Sequence, residues 1–230
     1  MSIWYTERMS YMRQINFGGK KLSFEIDSDA DESVFREIFV EKDYRYVEAV
    51  ISGASLPVLD IGAHKGMFSV YVRGLNPAVR VFAYEPEEQN FAALKKHLKM
   101  NHVSEVVAKN LAVTGDGGGR RLYLSEDSHN HSLIGSGDFK EVGSVGMSAV
   151  LQRVGKCSLV KMDCEGAEFE ILNSLSAENF AMVGVFYIEY HELVEGMRGD
   201  DLKRLLEKFG YKVRLRVSPY DKKLGFILAI

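Results

Sequence analysis

Residues 58–66 read Val-Leu-Asp-Ile-Gly-Ala-His-Lys-Gly, an apolar segment that runs into a glycine-bearing turn. Val58–Ile61 is typical of a short buried strand, and the apolar spacing after Gly66 predicts a helix. Glycines in such a turn let the backbone bend sharply and approach a ligand, and the free N–H groups at the helix start can bind a polar or anionic group. The spacing matches neither G-x-G-x-x-G nor a P-loop, so a pyrophosphate is not the expected ligand. A purely geometric role for the two glycines is the alternative.

Strand-like and helix-like segments alternate from this turn to the end of the chain. Strands rich in Val, Ile and Phe, separated by helices, indicate a parallel sheet covered on both faces. The last two strands are joined by too few residues for a crossover and must be antiparallel. In order, the sequence predicts a helix at 67–74, a strand at 79–84, a helix at 88–100, one strand from 103 through 113, a strand at 159–162, a helix at 168–175, a strand at 183–188, a helix at 200–209, and strands at 212–217 and 225–230.

The first 53 residues have a different pattern. Residues 13–27 read as a β-hairpin, because apolar and polar residues alternate after a Gly-Gly turn. From Asp31 onward, apolar residues recur at helical spacing and predict one or two amphipathic helices. We therefore divide the chain into an N-terminal hairpin and helical flank, 1–53, and an α/β domain, 54–230.

Composition limits the expected partners and compartment. The 230 residues include 29 Lys and Arg against 32 Asp and Glu, a net charge of −3, so nucleic acid is not an expected partner. No apolar run reaches the ~18 residues that a membrane helix needs, and the N-terminal residues lack a secretory pattern, so no membrane association is expected. The two cysteines have neither disulfide nor metal-ligand spacing, which favours the cytoplasm. The oligomeric state is left open.

A carboxylate, Glu85, ends the strand that follows the glycine turn, just before Pro86. In a parallel sheet it lies beside the turn and can accept hydrogen bonds from both hydroxyls of a ribose. A nucleoside that carries no pyrophosphate accounts for both the glycine turn and Glu85, and S-adenosylmethionine is such a ligand. Asp60 is then expected to face the positively charged methionine amino group, directly or through backbone and water. Capping of the loop by Asp60 is the equally open alternative.

Acidic residues also follow the strand at 159–162, namely Asp163, Glu165 and Glu168. Their repulsion requires hydrogen bonds, a cation or a substrate nearby. Helix capping by Asp163 and a favourable helix dipole for the two glutamates are the structural alternative.

Glu189 and His191 end the next strand and point to the same side by strand alternation. An acid and a histidine at a sheet edge next to Asp163 suit general-base catalysis. A buried histidine with satisfied hydrogen bonds is the simpler interpretation of His191.

Together these segments resemble the FkbM family of S-adenosylmethionine-dependent methyltransferases, from about Phe24 to Glu192. The resemblance implies a Rossmann-like class I methyltransferase fold, with a seven-stranded, mostly parallel sheet, an antiparallel last strand and helices on both faces. It also implies that the strand ends at Asp163 and Glu189 face the methyl acceptor. His64 departs from the Asn that is common in the family. The motifs that carry the resemblance are 60–66, 84–86, 110–113, 161–168 and 188–191.

On this basis residues 54–230 are predicted to form the S-adenosylmethionine-binding methyltransferase domain. The predicted cofactor residues are Asp60, Gly62, Ala63, His64, Gly66, Glu85, Pro86, Ala112 and Asp163. The expected reaction is O-methylation of a hydroxyl on a small molecule or carbohydrate. A nicotinamide-dependent Rossmann oxidoreductase and a non-catalytic methyltransferase-like binding module are the alternatives.

The catalytic prediction is that His191 or Asp163 accepts the hydroxyl proton while Glu165 and Glu189 orient the acceptor or the base. A divalent cation held by Asp163, Glu165 and Glu189 is possible but not favoured. His129 and His131 form a second histidine pair, for which a solvated loop is favoured over a metal site because spacing places no third ligand.

Overall fold

Strands and helices alternate through most of the chain in the computed structural model, which describes residues 10–123, 132–193, 196–219 and 221–230. The strands are Tyr11–Phe17 (β1), Lys20–Ile26 (β2), Val58–Ile61 (β3), Val81–Tyr84 (β4), Val106–Lys109 (β5), Ala112–Thr114 (β6), Arg120–Tyr123 (β7), Phe139–Val142 (β8), Ser144–Gly146 (β9), Cys157–Met162 (β10), Val183–His191 (β11), Val213–Val217 (β12) and Leu224–Ala229 (β13). The helices are Asp29–Phe35 (α1), Glu48–Ser52 (α2), Met67–Leu75 (α3), Glu88–Met100 (α4), Met147–Val154 (α5), Glu168–Ser174 (α6), Ala177–Phe180 (α7) and Gly199–Lys208 (α8), with a π-helical turn at Arg36–Val40 and a 3₁₀ turn at Asp43–Tyr46.

The central sheet has seven strands in the order β12-β13-β11-β10-β3-β4-β5. All neighbours are parallel except β13, which runs antiparallel to both β11 and β12. This confirms the predicted fold class and the closing hairpin. Because β3 lies between β10 and β4, the glycine turn after β3 meets the ends of both strands at one edge of the sheet. Ligands bind at this carboxyl edge in open α/β sheets.

Two hydrophobic cores cover the two faces of the sheet. One contains the N-terminal flank together with α3 and α4, and the other contains α5, α6 and α8. Phe24, which is fully buried, packs its ring against Phe35 and Phe39 at centroid distances of 5.9 and 5.1 Å. The flank thus shares a core with the sheet, and the boundary at residue 53 stays a prediction. In the described ranges, no helix combines the length and the apolar character that crossing a bilayer requires.

One predicted strand differs from the structure, and the flank takes the two-helix form of its prediction. The single strand expected from 103 through 113 is wrong: it divides into β5 and β6, and β6 pairs with β9 outside the main sheet. Asn110 marks the break, because its side-chain amide donates to the carbonyl oxygens of Glu85 and Pro86, at 2.9 and 3.0 Å. The helical region of the flank is interrupted at Lys42, whose φ is 59°.

The segment from β7 to α5 was not predicted. The exposed strand β8 offers little hydrophobic alternation to detect. For α5 a usable pattern exists, since Met147, Val150, Leu151 and Val154 follow helical spacing, and the first three are buried.

Candidate active site

A cavity of about 990 Å³ opens at the carboxyl edge of the parallel strands. Its volume lies within the range of about 300–1,000 Å³ that is common for small-molecule and cofactor sites. All predicted site residues line it except Asp60 and Gly66. Those that do are Gly62, Ala63, His64, Glu85, Pro86, Ala112, Asp163, Glu165, Glu189 and His191. The predicted loop with His129 and His131 lies outside the described residues.

Gly62 brings the glycine turn against the end of β10. Its φ is 72°, and a Cβ built there would lie 1.7 Å from the carbonyl oxygen of Asp163. Gly66 also has a positive φ, 79°, but a Cβ there would meet Leu94 of α4, 2.8 Å away. Gly62 is therefore required for the approach of the two site segments, whereas Gly66 serves helix packing away from the cavity.

Glu85 faces the glycine turn, as predicted. One carboxylate oxygen accepts from the N–H of His64 at 2.7 Å, and the other accepts from the N–H of Glu87 at 2.9 Å. Glu85 is 5% exposed, and burial raises its pKa to about 7 although the two backbone bonds oppose the shift. The side chain of Asn90 also hydrogen-bonds this carboxylate. Because two carboxylate oxygens offer about four acceptor sites, the ribose role predicted for Glu85 fits its position.

Asp60 lies beneath the turn and is fully buried. One of its oxygens accepts from the hydroxyl of Ser69 at 2.6 Å, while the other, Oδ1, makes no hydrogen bond within the described part of the chain. Burial raises the pKa of Asp60, against the effect of Lys161. Its carboxylate does not line the cavity, so of the two predicted routes to the cofactor only the one through backbone or water fits the position of Asp60.

Lys161 is a site residue to which the sequence reasoning gave no role. Its ammonium group donates to the carbonyl oxygen of Gly62 at 2.7 Å and lies 3.4 Å from Asp163 Oδ2 and 3.8 Å from Asp60 Oδ1. It is 4% exposed. The signal in the sequence was a lysine inside an otherwise apolar strand, since a buried charge is rarely kept without partners.

The acidic turn after β10 is organised by Glu168. Its carboxylate accepts from the N–H of Cys164 at 2.7 Å and from the N–H of Gly166 at 3.0 Å, and it is fully buried. Helix α6 begins at Glu168 without a side-chain cap from the preceding residue. The capping alternative for Asp163 is therefore wrong, and its carboxylate faces the cavity instead.

His191, at the end of β11, lies between two carboxylates. Its Nε2 is 3.5 Å from Glu165 Oε2, and its Nδ1 is 3.6 Å from Glu168 Oε1. Burial by itself lowers the pKa of His191, but these carboxylates outweigh it and raise the pKa to about 10. Burial raises the pKa of Glu165 to about 8. Ligand-capable atoms of Asp163, Glu165 and His191 lie within 4.8 Å of one another.

Glu189 lines the same cavity two residues before His191, which agrees with the predicted alternation. Tyr190 between them is buried in the opposite core. Burial and the neighbouring Asp163 raise the pKa of Glu189 well above its usual value.

The N-terminal flank closes the other side of the cavity. Ser33, Glu37 and Tyr44 line it, together with Arg216 and Phe226 of the closing hairpin. No motif in the sequence assigns these five residues to the cavity.

Lys65 ties the flank to the glycine turn. Its ammonium group donates to Asp27 Oδ1 at 2.5 Å and to Asp31 Oδ2 at 2.8 Å. Asp31 is fully buried and Lys65 is 6% exposed. The backbone of Lys65 is fixed as well, since His97 Nδ1 lies 2.8 Å from its carbonyl oxygen. These contacts therefore hold the glycine turn in place at the point where helix α3 begins.

Residues 60–213 match the family described as the methyltransferase FkbM domain. The AMB antimetabolite synthetase AmbE of Pseudomonas aeruginosa is 24% identical over 232 residues, which cover 80% of this chain and 11% of AmbE. The 31-O-demethyl-FK506 methyltransferase FkbM of Streptomyces tacrolimicus is 24% identical, with 84% of this chain and 86% of that protein covered. A solved methyltransferase FkbM from Methylobacillus flagellatus has a TM-score of 0.51 and 17% identity, over 76% of this chain and 44% of that chain.

The chain thus spans about a tenth of AmbE and less than half of the solved protein. The likeness to the solved structure supports the fold alone. The family match covers most of the sheet and both predicted site segments, since it runs from Asp60 to Val213. The chain belongs to the methyltransferase FkbM domain family.

Proposed function

We propose that the chain transfers the methyl group of S-adenosylmethionine to a hydroxyl oxygen of a small molecule or carbohydrate. The observation that carries this proposal is one continuous cavity, with Glu85 and the glycine turn at one end and a histidine among carboxylates at the other. The oxidoreductase alternative is not retained, because the family is one of methyltransferases.

The residues around the glycine turn fit the cofactor. Glu85 is placed for the ribose hydroxyls, and the backbone of 62–64 borders the cavity where the methionine portion is expected. Pro86 and Ala112 line the adjoining wall and are the proposed adenine contacts.

The bound cofactor supplies a methyl group on a positively charged sulfur, which takes the bonding electron pair and leaves as a thioether. The chain has to align the acceptor oxygen with that methyl and take up the hydroxyl proton. Both ring nitrogens of His191 face carboxylates, Glu165 and Glu168, so His191 is placed to orient the site. Asp163 and Glu189 line the cavity next to His191 and are the proposed proton acceptors.

A small acceptor is favoured over nucleic acid. The net charge is −3, and the acceptor end of the cavity is lined by carboxylates, which repel a phosphate backbone. The relative from Streptomyces tacrolimicus is named as a methyltransferase that acts at an oxygen, which supports a hydroxyl acceptor here. The two cysteines are free thiols, in keeping with the proposed cytoplasmic location.

A labelled methyl group tests the proposal. The protein is incubated with S-adenosylmethionine carrying a ¹³C methyl and with a panel of hydroxylated small molecules and sugars, and products are identified by NMR and mass spectrometry. We expect label on oxygen, and turnover about 100-fold lower in Glu189→Gln with S-adenosylhomocysteine binding retained. Label found only on nitrogen or carbon, or unchanged turnover in the variant, contradicts the proposal.

A further inference from the structure

We propose that Asp163, Glu165 and His191 bind a divalent metal ion of the Mn²⁺ type at the acceptor end of the cavity. Binding itself is independent of the proposed function, whereas the role given to the ion below rests on it. The ligand set differs from the one considered from sequence, because His191 takes the place of Glu189.

The geometry of the three side chains suits one ion. Their ligand atoms lie within 4.8 Å of one another. Oxygen and nitrogen atoms bound to one ion at about 2.1 Å are about 3–4 Å apart, so side-chain shifts of less than about 1 Å complete the site. Glu165 has a φ of 51°, and this left-handed backbone turns the segment between β10 and α6 toward His191.

His191 has a carboxylate next to one ring nitrogen, which is the usual arrangement of a metal-bound histidine. It is 7% exposed, and its Nδ1 makes no hydrogen bond within the described ranges. The carboxylate that faces Nδ1 is Glu168, 3.6 Å away and itself fixed by two backbone N–H groups. A carboxylate that accepts from one ring N–H fixes the orientation of the ring and leaves the other nitrogen for the ion, and a shift of about 0.5 Å brings Nδ1 within hydrogen-bond distance of Glu168.

Carboxyl groups predominate around the site. Four of them converge there, on Asp163, Glu165, Glu168 and Glu189, and Lys161 supplies an ammonium group beside them. His191 releases its ring proton when it binds an ion, as metal-bound histidines do. Two carboxylates with one imidazole suit Mn²⁺ better than Ca²⁺, which prefers oxygen ligands alone.

Within the proposed reaction, an ion held by Asp163, Glu165 and His191 would act as a Lewis acid that lowers the pKa of the acceptor hydroxyl. Glu189, which lines the same cavity and is not one of the three ligands, would take up the O–H proton. The oxygen then bonds to the methyl carbon as the carbon–sulfur bond breaks, with its electron pair returning to sulfur.

The test is Mn²⁺ binding by EDTA-treated full-length protein, followed by electron paramagnetic resonance and calorimetry. We expect one ion per chain in the wild type. Glu165→Gln and His191→Gln are expected to raise the Kd for Mn²⁺ about 10-fold or more, and Glu189→Gln, which removes the same charge from the same cavity, less than about 3-fold. Thermal melting and S-adenosylhomocysteine binding verify that each variant is folded.

The outcomes separate this proposal from the proposed function. Wild-type protein that binds S-adenosylhomocysteine but no stoichiometric Mn²⁺ overturns the metal site and leaves methyl transfer intact. Stoichiometric Mn²⁺ binding without methyl transfer to any hydroxyl supports the metal site and contradicts the proposed hydroxyl acceptor. A large loss in Glu189→Gln with none in His191→Gln overturns the ligand set.

Discussion

The ammonium group of Lys161 on β10 donates a hydrogen bond to the carbonyl oxygen of Gly62 after β3, at 2.7 Å. This bond thus joins the glycine turn to β10, the strand that leads to Asp163. The pairing register places Lys161 opposite Asp60, so the same lysine also balances a buried carboxylate. The relative position of cofactor and acceptor sites is therefore expected to depend on this side chain.

Replacing Lys161 by Met is expected to lower the free energy of unfolding by about 3–5 kcal/mol, because Asp60 is left buried without its cation. Urea unfolding at pH 7 measures the change. Lys203→Met is the matched control, since the exposed Lys203–Glu207 pair at 3.9 Å is expected to be worth less than about 1 kcal/mol. Equal effects of the two substitutions would show that Lys161 does not balance Asp60.

Gly62→Ala is expected to abolish measurable cofactor binding, because the added Cβ meets the carbonyl oxygen of Asp163 at 1.7 Å and pushes the turn away from β10. Gly19→Ala provides the control for backbone strain alone: its φ is 73°, against 72° at Gly62, and nothing lies within 4 Å of its added Cβ. The control is expected to cost about 1–2 kcal/mol of stability and to leave the Kd for S-adenosylhomocysteine unchanged. Calorimetric titration decides, and retained binding in Gly62→Ala contradicts the close approach.

The central sheet was predictable because its strands are apolar and its connections are constrained by handedness and length. Glu85 and the glycine turn could be placed together from strand order alone. Lys161 could not be assigned a role in the same way. Its three partners lie in β3, in the glycine turn and just after β10, and only the register brings them together.

The same limit applies to the flank. Helical spacing predicts that residues after Asp31 form helices, but not that Glu37 and Tyr44 reach the cavity. That contact depends on how the flank packs on the sheet, through long-range pairs such as the hydroxyl of Tyr187 on the carbonyl oxygen of Asp43 at 2.7 Å.

Cofactor affinity is expected to depend on pH through Glu85. Its pKa is raised to about 7, so the carboxyl group is protonated below that pH and ionised above it. Ribose hydroxyls donate more strongly to the ionised form, and the Kd for S-adenosylhomocysteine should therefore fall as pH rises from 6 to 8. Calorimetry of wild type and Glu85→Gln across this range measures the effect.

The Gln variant should bind more weakly at pH 8 and show a flat pH profile. An equally steep profile in the variant would assign the pH dependence to another group. The pH dependence of folding stability has the opposite sign to that of cofactor binding. Because the folded pKa lies above the unfolded value of about 4.3, ionisation of Glu85 removes stability from the cofactor-free protein as pH rises from about 4.3 to 7.

Asp31→Asn is expected to raise the KM for S-adenosylmethionine about 10-fold with little change in kcat, because Asp31 acts on the cofactor turn through Lys65 and touches no reacting atom. The substitution removes the buried partner of Lys65, 2.8 Å away, and leaves Asp27 as its remaining carboxylate. Asp27→Asn is the matched control: the Asp27 side chain is 53% exposed, and its loss is expected to change KM less than about 2-fold. Steady-state kinetics at saturating acceptor separate the two parameters. If both variants lowered kcat and left KM unchanged, the Lys65 ion pair would not position the cofactor turn, and the flank would act on the acceptor instead.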